Sequence, residues 1–272
     1  EKRPLIEQQL KDALFNMEAG RRPVVVGKHD ERGQHLLKSD GELTPFEIAS
    51  TIVARFGLDA FSERTRQRFE GLKRRGGRQV RNESGMARVP YFCSGCPHNS
   101  STKVPDGSMA LAGIGCHTMA ISMERNTKTF THMGAEGATW VGASHFTDTP
   151  HVFQNLGDGT YFHSGLLAIR HAIANKTSMT YKILYNDAVA MTGGQPHDGD
   201  VTPWRISRQV RAEGVDRIAL VSDDPEKYPV GTDWAAGVTF HHRDQLDEVQ
   251  RELREVKGVS VLIYDQTCAS EK

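Results

Sequence analysis

Apolar positions along the chain change period once, and the change separates two regions. Leu5, Ile6, Leu10, Leu14 and Met17 recur at helical spacing up to Gly20, which predicts an amphipathic helix. Val24 to Val26, after Pro23, read as a short strand. Thr44-Pro45-Phe46-Glu47 is a capping box with proline at the first helical position, and Ile48, Ile52, Val53 and Phe56 give the helix behind it one apolar face. A polar helix is expected from about Phe61. From Pro90 onward, short apolar runs at Met109 to Ala112, Phe130 to His132, Val152 to Phe153, Thr180 to Tyr185, Ile218 to Val221 and Val259 to Tyr264 read as strands. They alternate with helical segments near His117, Gly137, Thr160, Ser207 and Arg243, the last with Leu246, Val249, Leu253 and Val256 on one face. This alternation predicts an α/β fold, a mainly parallel sheet with helices on both faces, preceded by a helical lead-in.

Between the regions, Lys73, Arg74, Arg75, Gly76, Gly77, Arg78 and Arg81 mark Gly71 to Pro90 as a basic, solvated linker. The boundary is placed near Val89, giving a lead-in over 1–89 and a main domain over 90–272. Nothing beyond helical periodicity is legible in the lead-in, which is expected to pack on a neighbour. At 272 residues, with Lys+Arg 34 against Asp+Glu 34, the chain has room for a sizeable core and no charge excess for nucleic acid or a membrane surface. No apolar run approaches the roughly 18 residues of a membrane span, and Glu1-Lys2-Arg3-Pro4 opens no signal peptide, so a cytoplasmic protein is expected. Eight of the twelve histidines fall between His98 and His197, a concentration that proton handling, ligand binding or a plain solvated surface would each explain.

Chemistry concentrates between Val152 and Gln195. A strand, the turn Gly157-Asp158-Gly159, a helix of about 16 residues from Thr160 and a second strand ending at Tyr185 form a βαβ unit. The helix climbs roughly 24 Å and the returning strand covers a similar distance, so Asp158 and Asn186 are expected to meet at the carboxyl edge of the sheet. The helix start offers free N–H groups to an anion there, and a carboxylate beside a carboxamide suits Mg²⁺ bridging protein to diphosphate.

The four cysteines form a second group. Cys93-Ser94-Gly95-Cys96 is a CxxC, Cys116 follows a Gly-Ile-Gly turn, and Cys268 follows the last strand. Disulfides fit a cytoplasmic chain poorly, and spacing alone leaves a Cys₄ zinc site and an iron–sulfur centre equally open.

Gly157-Asp158-Gly159, followed twenty-six residues later by Asn186, resembles the thiamine diphosphate and Mg²⁺ signature. The tail Asn186-Asp187-Ala188-Val189-Ala190-Met191-Thr192-Gly193-Gly194-Gln195, with Phe92 to His98 and Gly113 to His117, is similar to the 2-oxoacid:ferredoxin oxidoreductases. Thr131 to Gly134 and His163 to Leu166 make the long fused indolepyruvate enzymes the most similar branch. The resemblance covers Pro90 to the C-terminus.

The resemblance implies Mg²⁺ held by the side chains of Asp158 and Asn186 and the carbonyl of Ala188. Gly157 and Gly159 are implied at the diphosphate, and Met191 and Thr192 near the aminopyrimidine. Cys93, Cys96, Cys116 and Cys268 would hold one 4Fe-4S cluster, leaving no thiols for another. His117, His98 and Glu136 are candidates for the reacting centre, with a structural role equally open, and no catalytic acid or base is assigned. The implied reaction is oxidative decarboxylation of a 2-oxo acid, indolepyruvate or another aryl or branched one. Electrons would pass through the cluster to ferredoxin, and the acyl group to coenzyme A. A dimer is expected. The pyrimidine domain with its activating carboxylate has no counterpart in these residues, so the chain is expected to be a fragment or subunit with little turnover alone. The alternative is a non-redox thiamine lyase with structural zinc; a cofactor-free docking domain is a further rival.

Overall fold

The computed structural model describes residues 5–79, 89–196 and 199–271. The chain divides into two compact units, residues 1–88 and 89–272.

The first unit is built from helices Leu5–Leu14, Pro45–Phe56 and Glu63–Gln79. Thr44 caps the second helix reciprocally: its Oγ1 accepts the Glu47 N–H at 3.2 Å, and Glu47 Oε2 accepts the Thr44 N–H at 2.7 Å. Two expectations fail here. Val24 to Val26 form no strand; Val24 is exposed, and no neighbouring strand supplies partners for their backbone groups. Gly71 to Gln79, expected as linker, continue the third helix, because Lys and Arg are good helix formers and outweigh three glycines costing about 1 kcal/mol each. The rest of that linker, from Val80 to Arg88, lies outside the described residues.

In the second unit, β1 (Ala110–Leu111), β2 (Thr127–Lys128), β3 (Val152–Gly157), β4 (Met179–Tyr185), β5 (Arg217–Ser222), β6 (Thr239–His242) and β7 (Val259–Asp265) form one seven-stranded sheet ordered β2-β1-β3-β4-β7-β5-β6. Every pairing is parallel. Alternate residues of the central strands feed two cores. Leu156, Tyr181, Ile183, Val261 and Ile263 pack with Trp140, Ile169, Ile206 and Val210 from helices Ala138–Ala143, Leu166–Ala174 and Pro203–Ala212. On the opposite face, Leu184, Leu262 and Tyr264 meet Leu246, Val249 and Leu253 of helix Leu246–Leu253. Burial on both faces explains why β7 reads as a near-continuous apolar run, and why even the polar residues of β3 and β4 are buried.

The edges depart from expectation. Phe130 to His132 are not a strand: Phe130 is exposed, and the edge strand lies earlier, where Ala110 pairs with Thr127. β6 carries no apolar run, since a four-residue edge strand buries little and Thr-Phe-His-His suffices.

Candidate cofactor site

The chain runs leftward from β1 to β2 and rightward from β3 to β4, so the carboxyl ends of β1 and β3 flank the point where the order reverses. Open parallel sheets bind ligands at such a point. The loops leaving both strands enclose a cavity of about 340 Å³, whose walls include Gly157, Asp158, Gly159, Asn186, Ala188, Met191, Thr192, His117 and Cys116. Ile114, Met133, Leu184 and Val189 add an apolar surface that motif reading did not single out, because ordinary aliphatic residues carry no signature until folding aims them.

Asp158 fastens the two strand tips together. It is buried, and its Oδ2 accepts the N–H groups of Asn186 at 2.8 Å and Asp187 at 3.0 Å, while Oδ1 accepts the Gly159 N–H at 2.8 Å. The distance argued from strand and helix rise is thus closed by direct hydrogen bonds. Asp187, at φ 59°, reverses the chain, and the Tyr185 hydroxyl reaches its Oδ1 at 2.9 Å. Asn186 Oδ1 accepts the Ala188 N–H at 3.3 Å, folding the following loop toward the cavity. The helix begins at Asp158 itself, two residues before the sequence placed it. It passes through a π turn over Tyr161–Gly165 before becoming regular at Leu166–Ala174. Single π turns inside helices favour functional sites.

Three glycines make room for one imidazole. A Cβ on Gly113 would meet His117 Nε2 at 2.7 Å, one on Gly115 would meet its Cε1 at 2.7 Å, and one on Gly157 would meet Cε1 at 3.1 Å. Gly159 differs: a Cβ there would touch only Val189 Cγ2, at an ordinary 3.5 Å, so the chain's own packing does not require glycine. His117 stands edge-on to His98, ring centroids 5.5 Å apart, and both line the cavity. Burial pushes His98 down to about 4, against a small opposing pull from Asp158. Burial, with His98 nearby, pushes His117 down to about 3, so both rings are neutral at neutral pH. His117 Nε2 is buried without a hydrogen-bond partner.

Glu136 is almost completely buried, its Oε2 accepting the Gly134 N–H at 2.6 Å and Oε1 lying 3.5 Å from the Ile114 N–H. Burial holds its carboxyl above the usual range. It joins two loops of the cavity wall from behind and is not itself among the lining residues.

The thiols come together from three parts of the chain. Gly95 would place a Cβ 3.8 Å from that of Ala269, so the Cys93 to Cys96 turn lies against the segment carrying Cys268. The Cys268 N–H donates to the Asn186 carbonyl at 3.1 Å, which ties the same segment to the β4 tip. Burial pushes the Cys96 thiol up, opposed by the His98 N–H and reinforced by Cys116, Cys268 and Cys93. Burial pushes Cys116 up as well, with Cys268 and Cys93 adding to it. All four are free thiols. Among the described residues no three His, Cys, Asp or Glu side chains are close enough to share one ion, whereas a cluster distributes its cysteines over different irons.

The residues present fit the implied groups. Asp158 and Asn186 bring a carboxylate and a carboxamide oxygen to one place, the ligand type a hard cation takes. Gly159, in the cavity wall at a helix start, leaves the main chain uncovered on that side, as close approach of an anion there needs.

Fold and site together define an α/β domain that binds a diphosphate cofactor at a sheet switch point. Comparison with known proteins makes this specific: residues 113–264 match the thiamine pyrophosphate enzyme C-terminal TPP binding domain, and the chain belongs to that family. Residues 1–76 match an indolepyruvate oxidoreductase domain. The indolepyruvate oxidoreductase subunit IorA of Thermococcus kodakarensis is 29% identical over 205 residues, covering 68% of this chain and 30% of that protein. The subunit of the same name from Methanothermobacter thermautotrophicus is 32% identical over 155 residues, 50% of this chain and 25% of the relative. The chain therefore spans less than a third of the curated relatives it matches. Among solved structures, 2-oxoglutarate:ferredoxin oxidoreductase from Magnetococcus marinus superposes with a TM-score of 0.50 at 19% identity, covering 66% of this chain and 65% of that one, a likeness of fold.

Proposed function

We propose that this chain is the diphosphate-holding part of an oxidoreductase that oxidatively decarboxylates indolepyruvate or a similar aryl or branched 2-oxo acid. One observation carries the reading: Asp158, Asn186 and Cys116 share the wall of a single cavity, so a diphosphate site and a thiolate site adjoin. The relatives named for indolepyruvate support the substrate class. Asp158, Asn186 and the Ala188 carbonyl would hold Mg²⁺, and Gly157, Gly159, Met191, Thr192 and His117 would surround thiamine diphosphate. Cys93, Cys96, Cys116 and Cys268 would hold a 4Fe-4S cluster. Bound thiamine diphosphate supplies an electron sink for decarboxylation, and the cluster supplies a one-electron outlet.

The chain's own residues then have defined tasks. Asp158 orients the β4 tip through its backbone bonds, and Ile114, Leu184 and Val189 exclude water from the cavity. His98 and His117, neutral at working pH, offer hydrogen-bonding nitrogens without adding charge. The activating carboxylate, ferredoxin docking and coenzyme A recruitment are assigned to the assembly, which we place in the cytoplasm as a dimer. Among the described residues no helix is long and apolar enough to cross a membrane.

The test is an anaerobic absorption spectrum with metal analysis, followed by calorimetry with thiamine diphosphate and Mg²⁺. A brown protein with iron and labile sulfide in cluster ratio, binding the cofactor only with a divalent cation, is expected. A colourless zinc-loaded protein would replace this reading with that of a non-redox lyase.

A further inference from the structure

The Cys93 to Cys96 turn carries two of the four thiols, and it has little structure of its own. Inside it, the Cys96 N–H donates to the Cys93 carbonyl at 3.1 Å, and Asn99 Nδ2 reaches the same carbonyl at 3.1 Å. A guanidinium grips the segment from both ends. Arg125 Nη1 donates to the Asn99 carbonyl at 2.7 Å and to Thr102 Oγ1 at 3.0 Å, downstream of the thiols. Upstream, the Arg125 guanidinium lies 5.5 Å from the centroid of the Phe92 ring, one residue before Cys93. The backbone fixes its aim: the Arg125 N–H donates to Met123 at 2.8 Å, and Asn126, at φ 46°, turns the chain while its Nδ2 donates to the Ser108 carbonyl at 2.6 Å.

Behind it stands a second basic side chain. Lys182 of β4 is wholly buried, and its Nζ donates to the Lys103 carbonyl at 2.8 Å, immediately past the gripped segment. Among the described residues neither Arg125 nor Lys182 pairs with a carboxylate. Lys182 faces the Lys103 carbonyl and the Phe153 ring, 5.7 Å away, and a buried ammonium there is costly unless an anionic group lies nearby. A cluster held by four thiolates is such a group.

We propose that Arg125, with Lys182 behind it, is a positioning residue for the thiolate-held centre, clamping Phe92 to Thr102 and supplying the positive charge that stabilises the centre when it takes up an electron. This rests on the cluster reading given above. A plain helix cap would affect stability alone, whereas a charge set beside a redox centre also moves its potential.

The experiment uses the anaerobically purified holoenzyme and the variants Arg125→Gln, Arg125→Lys and Lys182→Met. Lys182→Met removes a buried charge and fills the same space, so it is expected to fold. Midpoint potentials more negative than wild type are expected for Arg125→Gln and Lys182→Met, with several-fold faster bleaching in air for Arg125→Gln. Arg125→Lys should recover the potential but not the air lifetime, since an ammonium lacks the planar face that lies against Phe92. Variants with full iron content, wild-type potential and wild-type bleaching would overturn the proposal, as would a loss of thermal stability with no change in potential. A wild-type enzyme without iron would remove the cluster reading itself, a result distinct from any difference among variants.

Discussion

Asp158 fastens the β4 tip and, on the proposed reading, holds Mg²⁺, two roles that substitutions can separate. Asp158→Ala strips the acceptor from three backbone N–H groups, and leaving one such donor buried and unpaired costs about 1–3 kcal/mol. Asp158→Asn keeps an acceptor oxygen and loses the charge. We expect Asp158→Asn to abolish Mg²⁺-dependent cofactor binding in calorimetry while losing markedly less stability in denaturant unfolding than Asp158→Ala. Gly159 is the opposite case. Its substitution by alanine meets only an ordinary contact, so the fold should change by about 1 kcal/mol or less, toward greater stability. Thiamine diphosphate binding should nonetheless weaken about tenfold or more, roughly 1.4 kcal/mol per decade. A Gly159→Ala protein with wild-type affinity would remove Gly159 from the cofactor cradle. Lys182 gives a pH dependence. Burial, reinforced by Arg125, pushes its ammonium down to about 7 from 10.5 in the unfolded chain. Between those values the unfolded chain binds the extra proton, so stability rises with pH from about 7 toward 10.5. Lys182→Met should flatten that rise in melts across the same range, and an unchanged slope would show that another group produces it.

At the scale of elements, the two strand tips behave as one unit because the clasp lies in the backbone as well as in the side chain. Asn186 and Asp187 donate to Asp158, the Gln266 N–H donates to the Tyr185 carbonyl, and the Cys268 N–H donates to the Asn186 carbonyl. The ends of β3, β4 and β7 are therefore locked in sequence. Hydrogen exchange should find the Asn186 and Asp187 amides slow in the wild type and fast in Asp158→Ala, with the interior of β4 unchanged. The neighbouring helix shows what local sequence conceals. Its length was legible from the apolar spacing, but its π turn was not, because that turn answers to packing: a Cβ at Gly165 would lie 3.0 Å from Leu156 Cδ1.

At the scale of the molecule, the sheet is self-sufficient and the sulfur-bearing loops are not. Two apolar cores clamp the central strands, whereas Cys93 is exposed and Cys96 and Cys116 are half-buried. On the proposed cluster reading, removing iron with a chelator should increase hydrogen exchange around Cys93 to Asn99, Ile114 to His117 and Gln266 to Ala269. The amides of β3, β4 and β7 should stay protected. Loss of protection across the whole sheet would mean that the metal centre holds the fold itself.

Covalent order and side-chain type were enough to determine the central strands, the capping box at Thr44, and the convergence of Asp158 with Asn186. Each follows from period, cap chemistry or rise per residue, which act over short stretches of chain. The edge strands, the imidazole seated among three glycines and the Arg125 grip were decided only in three dimensions. Each depends on partners distant in sequence, whose burial and hydrogen bonding exist only once the sheet has brought them together.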